Sequence, residues 1–150
     1  MQICSSCNVK LPANCFRKGR KDCVWCQFSD PSFRAEWRYK DKLRQKRWPV
    51  HISKEDFVKW YIHQPDECHY CKTPYTDLKK LQLPRFNGRY VSWDIDRIDS
   101  SKPYQEGNLV LACFICNSTK SNLLTEHETM HIGKSIRQVL LERIKNQQSG

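Results

Sequence analysis

Eight of the nine cysteines in this 150-residue chain stand in four Cys-x-x-Cys pairs, and no other feature constrains the fold as much. Fifteen residues separate the pair Cys4 and Cys7 from the pair Cys23 and Cys26. That is the spacing of a ribbon in which two knuckles turn four thiolates toward one tetrahedral zinc ion. Cys68 and Cys71 have partners of the same kind in Cys113 and Cys116, but the chain between them must fold back before the knuckles can meet. A closed four-thiolate site has no open coordination position, so both zinc ions are expected to be structural. Cys15 is left over and reads as a small core residue.

The chain needs such staples. Its mean hydropathy is -0.76 and only 39% of its residues are hydrophobic, so apolar burial alone would give a thin core. A closed zinc site contributes folding free energy directly. No leading apolar run or long apolar span is present, so neither a signal peptide nor a membrane span is expected. Paired cysteines then suit a reducing cytoplasm, bacterial or phage, where they mean metal more often than disulfide. The formal net charge is +10, with 26 Lys and Arg against 16 Asp and Glu, which points to a polyanionic partner.

Four stretches follow from the pattern: a zinc ribbon over 1–30, a basic helix and a packing helix over 31–65, a core with the second zinc over 66–124, and a C-terminal helix over 125–150. The first helix, "PSFRAEWRYKDKLRQKR", has Ser32 as its expected N-cap and Pro49 as its stop. Its cations Arg34, Arg38, Lys42, Arg44 and Arg47 are interleaved with Trp37, Tyr39 and Trp48, a composition suited to phosphate and base edges. Ser53 and Asp56 form a capping-box-like start for the second helix, with Phe57, Trp60 and Tyr61 as its buried face. Thr125 and Glu128 cap the last helix, with an interruption expected at Gly133 and one apolar side made of Ile136, Val139, Leu140, Leu141 and Ile144.

Between the paired cysteines of the core, "SWDIDRID" and "NLVLACFICN" read as strand, turn, strand and helix. Alternation puts Asp94 and Asp96 on one face of the first strand. Asp96 and Asn117 offer oxygen donors suited to a hard divalent ion such as Mg2+ or Mn2+. Asn108 is expected to tie the intervening loop by hydrogen bonds, and Asp99 to shape it. Taken singly, each residue is equally a turn former or a helix cap; together, between two Cys-x-x-Cys knuckles, they favour a functional reading.

This layout resembles the HNH, or ββα-metal, nucleases. Among them it is similar to type II restriction endonucleases with "CHYC" at 68–71, Asp-Arg at 96–97 where most of the family has Asp-His, and "LACFICNSTKSN" at 111–122. The resemblance implies a small α+β zinc-stapled fold: an N-terminal zinc ribbon, a ββα-metal nuclease core and flanking helices. It implies a homodimer that cuts double-stranded DNA at a palindrome, with one divalent ion per active site. Tyr70, Arg97, Asp96 and Asn117 are the residues it carries over, with the eight cysteines.

Arg97 cannot accept a proton, but it can stabilise charge on a phosphate. Tyr70 is then the expected proton acceptor, its pKa lowered by the nearby cation. His51 and His69 are further catalytic candidates. Lys102 and Lys120 are expected on the DNA backbone beside the cut, and the stretch 79–90 reads as a loop or connector. Two alternatives stay open: a junction-resolving nuclease of endonuclease VII type, and a non-catalytic zinc module that binds DNA.

Overall fold

The computed structural model describes residues 1–81 and 93–150. The ribbon carries two short antiparallel strands, β1 (Gln2–Ile3) and β2 (Lys10–Leu11), and a four-residue helix α1 (Val24–Gln27) that starts at the second knuckle. Then follow α2 (Pro31–Gln45), α3 (Lys54–Ile62) and α4 (Tyr75–Leu81). The ββα unit consists of β3 (Asp94–Arg97), β4 (Leu109–Ala112) and α5 (Phe114–Lys120), and α6 (Glu126–Gln148) ends the chain. This is the expected small α+β fold of ribbon, ββα core and flanking helices. Among the described residues, no helix is long and apolar enough to cross a membrane.

Local chemistry explains the helix boundaries. The cap of α2 is Asp30 rather than the expected Ser32: its carboxylate accepts the Ser32 N–H at 2.9 Å, and Pro31 takes the first helical position. The helix stops at Gln45, before Pro49, because Lys46 adopts a left-handed conformation with φ of 49°. Ser53 caps α3 by accepting the Asp56 N–H. A full capping box of Thr125 and Glu128 starts α6. Helix α4 was not anticipated, and its last three residues fall in the stretch read as a loop or connector. Its buried Tyr75, Leu78 and Leu81 follow helical spacing. The connector read over 79–90 falls, from residue 82 on, outside the described residues.

One apolar core spans the second, third and fourth stretches, from Ala35 on α2 through Phe57, Trp93, Ile95 and Leu111 to Leu140 and Ile144 on α6. The ribbon docks on α2 through Phe28, whose ring lies edge-on to Phe33 and Trp37 at 5.6 Å each. Three residues read as core or core-facing are instead partly exposed. Cys15 is half-buried in a 3-10 turn, and Val139 and Leu141 on α6 are exposed, at 49% and 36%.

Helix α6 runs through Gly133 without a break. A Cβ there would stand 2.6 Å from the carbonyl oxygen of Tyr70 and 3.2 Å from the Cα of Cys71. The glycine is therefore where the helix touches the backbone of the "CHYC" knuckle.

Arg34, read as a DNA contact, is buried with 1% exposure. Both of its terminal nitrogens donate to Asp66, at 2.9 and 3.0 Å, and its guanidinium lies 4.1 Å over the Tyr75 ring. The indole N–H of the fully buried Trp93 donates to the same carboxylate at 2.6 Å. Arg34 thus ties α2 to the core, because burial of its charge is tolerable only with this pairing.

Two variants test these contacts. Gly133→Ala should destabilise the protein by about 1–3 kcal/mol through overpacking against backbone, although alanine is the better helix former. A gain in denaturant midpoint would show that helix and knuckle do not touch. Arg34→Gln should cost about 1–3 kcal/mol by leaving Asp66 without its charged partner. In a duplex-DNA binding assay its folded fraction should match the parent; a loss of affinity without a loss of stability would make Arg34 a DNA contact, as the sequence suggested.

Candidate active site

The two cysteine quartets are assembled as the spacing suggested. In each, the four sulfurs lie within 4.8 Å of one another, a donor set that fits a tetrahedral zinc ion. The second quartet, Cys68, Cys71, Cys113 and Cys116, is wholly buried. In the first, Cys4 and Cys23 are buried, Cys26 is half-buried and Cys7 is exposed. Backbone N–H groups point at the sulfurs: that of Cys23 at Cys4 (3.1 Å), and that of Cys113 at Cys68 (3.3 Å). Such donors favour thiolate, the form that binds metal.

The second quartet positions the rest. Cys113 is the N-cap of α5, so Asn117 sits one turn into that helix. The knuckle bonds to the hairpin through the His69 N–H and the Leu111 carbonyl at 2.8 Å. Strands β3 and β4 pair with Asp94 opposite Ala112 and Asp96 opposite Val110. Both aspartates line one cleft of about 510 Å3, together with Asn117, Arg97 and, from α2, Arg38 and Lys42.

The loop between the strands is held as expected of Asn108. Its side-chain oxygen accepts the Asp99 N–H at 2.9 Å, and its amide nitrogen donates to the carbonyls of Asp99 (3.1 Å) and Pro103 (3.0 Å). Asp99 in turn accepts from the N–H and hydroxyl of Ser101, and with Lys102 these hold its carboxyl down at about 2.

Tyr70 donates its hydroxyl hydrogen to Asp96 Oδ2 at 2.5 Å. Burial and the Asp96 carboxylate push the Tyr70 phenol well above its usual range. This is the opposite of the lowering expected from Arg97: the ring is shut from solvent and its hydroxyl faces a carboxylate. Lys120, expected on the DNA backbone, is fully buried instead. It donates to the Arg97 carbonyl (2.9 Å) and Ser100 Oγ (3.1 Å), and lies 3.3 Å from Asp96 Oδ2. Arg38 is buried too, 3.5 Å from Asp94 Oδ1 and 3.7 Å from Asp41. It lines the cleft beside the acids rather than presenting an outer surface. Asn117 Nδ2 donates to Asp94 Oδ2 at 3.0 Å.

Arg97 is placed by three segments. Residues 49–51 run beside Tyr104, joined by the Tyr104 N–H to the Pro49 carbonyl (3.0 Å) and the His51 N–H to the Tyr104 carbonyl (2.7 Å). That brings Trp48 across the hairpin, where its ring lies 4.0 Å from the Arg97 guanidinium, with Tyr104 at 5.4 Å. Arg97 Nη1 donates to the Lys102 carbonyl at 2.9 Å, and Nη2 reaches Asn122 Oδ1 at 3.5 Å. Lys42 adds a second cation, donating to the Tyr104 hydroxyl at 3.0 Å.

The cleft therefore unites Asp94, Asp96, Arg97 and Asn117 with Arg38, Lys42 and Arg47. Neither His51 nor His69 is among its lining residues. His51 is exposed, and His69 turns its Nε2 to Glu126 at 2.6 Å. Arg44 is exposed beside Asp41, and Lys102 is exposed beside Asp99. Tyr104 and Asn122 were not anticipated as site residues, and Trp48 only as an aromatic of the basic run. Asn122 had a signal, as the last residue of "LACFICNSTKSN".

No family model matches the chain, and no curated protein matches it. Among solved structures, the rare-cutting HNH restriction endonuclease PacI is similar, with a TM-score of 0.62 and 27% identity. The similarity covers 93% of this chain and 95% of that one. Ribbon, ββα hairpin and helices together thus make this chain, over nearly its full length, a structural relative of the HNH restriction endonuclease PacI.

Proposed function

We propose that the protein is a site-specific endonuclease that hydrolyses phosphodiester bonds of double-stranded DNA at a palindrome. The observation that carries this reading is the cleft itself. Two aspartates and an asparagine from the ββα unit face the same space as Arg97, Arg38, Lys42 and Arg47. Oxygen donors on one wall and cations around them match a phosphodiester and one hard divalent ion.

The donor set fits Mg2+ or Mn2+. Asp96 Oδ2 is occupied by Tyr70 and Lys120, which leaves Oδ1 for an ion. The amide nitrogen of Asn117 is committed to Asp94, which leaves its oxygen for the same role. The ion would polarise the scissile phosphate and stabilise the leaving oxygen. Tyr70 holds the Asp96 carboxylate in one orientation by donating to it. Lys120 sits behind the carboxylate at 3.3 Å and offsets its charge.

Arg97 is flattened against Trp48 and bonded at both terminal nitrogens, so it is preorganised to meet charge that develops on the phosphate. Arg47 and Lys42 line the cleft, where they would contact the DNA backbone, with Arg44 and Lys102 as exposed cations nearby. One cleft per chain cuts one strand, so a palindrome requires a symmetric pair of chains. Ile132 and Val139, exposed two turns apart on one face of α6, are the surface we assign to that contact.

The decisive experiment is a digest of long duplex DNA by the zinc-loaded protein with Mg2+, followed by sequencing of the ends. Discrete fragments that share one palindrome support the proposal. Intact DNA that nonetheless shifts on a gel, with Mn2+ as well, would reduce the protein to a binding module.

Within the cutting assay, Asp96→Ala should lose about 100-fold or more; full Mg2+-dependent cutting by that variant would mean the ion sits elsewhere. Tyr70→Phe should lose about 10–100-fold, as expected for a residue that orients a ligand. Unchanged cleavage by Tyr70→Phe would remove Tyr70 from the site.

A further inference from the structure

Between β2 and the second knuckle, residues 17–21 read Arg-Lys-Gly-Arg-Lys, four cations in five positions. Such a run on a solvated surface carries no meaning by its charge alone. This one is built. Phe16 pairs with Cys23 at the base of the loop, the Ser5 N–H bonds to the Lys21 carbonyl at 3.1 Å, and the Arg20 N–H closes the turn onto the Arg17 carbonyl at 2.9 Å. Gly19 takes a φ of +78° at the tip with open space around it. The neighbouring carboxylate, Asp22, is engaged by the hydroxyls of Ser5 and Ser6. Lys18, Arg20 and Lys21 are exposed, and beside them lies a hollow of about 390 Å3.

The loop also has a defined place relative to the active site. Arg17 lines that hollow while its guanidinium lies 4.9 Å from the Phe28 ring and 5.7 Å from the Trp37 ring. Trp37 is itself a wall of the catalytic cleft. The Arg17 guanidinium and the cleft therefore share one indole ring.

We infer that the loop Arg17–Lys21 is a second DNA-contacting surface, which holds backbone phosphates of the duplex flank beyond the cleft. The inference rests on the nuclease reading above and deepens it, since the ribbon then contributes to binding. Three flexible cations on a rigid turn suit phosphates, which fix position without reading sequence. Each phosphate contact releases condensed counterions, so its signature is a salt dependence rather than a change in the site recognised.

The test is the full-length, zinc-loaded protein carrying Lys18→Gln, Arg20→Gln and Lys21→Gln together, with Lys59→Gln on α3 and Lys134→Gln and Lys145→Gln on α6 as a control of equal charge. Duplex binding is measured across a series of salt concentrations. The loop variant should weaken binding and lower the slope of log affinity against log salt by about 2–3, or about 0.9 per phosphate lost, with zinc content unchanged. The control should keep the parent slope.

A loop variant with the parent's affinity and slope would overturn the inference while leaving the nuclease reading intact. An equal loss in the control would overturn it as well, since net charge would then account for the effect. Failure of the parent protein to bind duplex DNA at all would bring down both.

Discussion

The buried cysteine quartet of Cys68, Cys71, Cys113 and Cys116 is the constraint on which the active half of the molecule depends. It joins a knuckle, the end of β4 and the start of α5 at one point. From that point, each site group lies only a short, stiff reach away. Tyr70, inside the knuckle, arrives at Asp96 on β3; Asn117, one turn past Cys113, arrives at Asp94. Gly133 lets α6 close on the knuckle's backbone from the other side. In a chain of low apolar content, zinc held by such quartets would replace the area that a larger core would bury.

Charge in the cleft is arranged as alternating layers. Lys120 lies behind Asp96, Arg38 beside Asp94, and Arg97 is pinned between Trp48 and the turn carbonyl of Lys102. Buried charges of one sign would be prohibitively costly; paired, they hold one another in place and lower the reorganisation needed when a phosphate enters. The same pairing explains why three cations of the basic pattern do not face outward. Arg34, Arg38 and Lys120 are each consumed by partners inside the protein.

Those three residues also mark the limit of what the sequence made legible. Features carried by near neighbours were readable: the caps at Ser53 and Thr125, the shared face of Asp94 and Asp96, the turn-holding Asn108, and the pairing of the knuckles. A lysine or arginine is ordinarily exposed, so a run of them reads as surface unless its partners are known. The partner of Arg34 is Asp66, 32 positions away; that of Lys120 is the carbonyl of Arg97, 23 positions away. The stack of Trp48, Arg97 and Tyr104 likewise draws on three segments, and no local pattern announces it. Helix α4 was missed for a different reason: its three apolar residues lie in a seven-residue element too short to outweigh the turn-like "KTPYTD" at its start.

The two quartets differ in one respect that matters for the life of the protein. All four sulfurs of the core quartet are sealed from solvent, whereas Cys7 of the ribbon is exposed. Oxidation and ligand exchange at sulfur proceed through the accessible atom. The ribbon is thus the entry point for oxidants and chelators, and damage would begin there. A cell under oxidative stress would then hold molecules whose catalytic half is intact while their N-terminal module has already come apart.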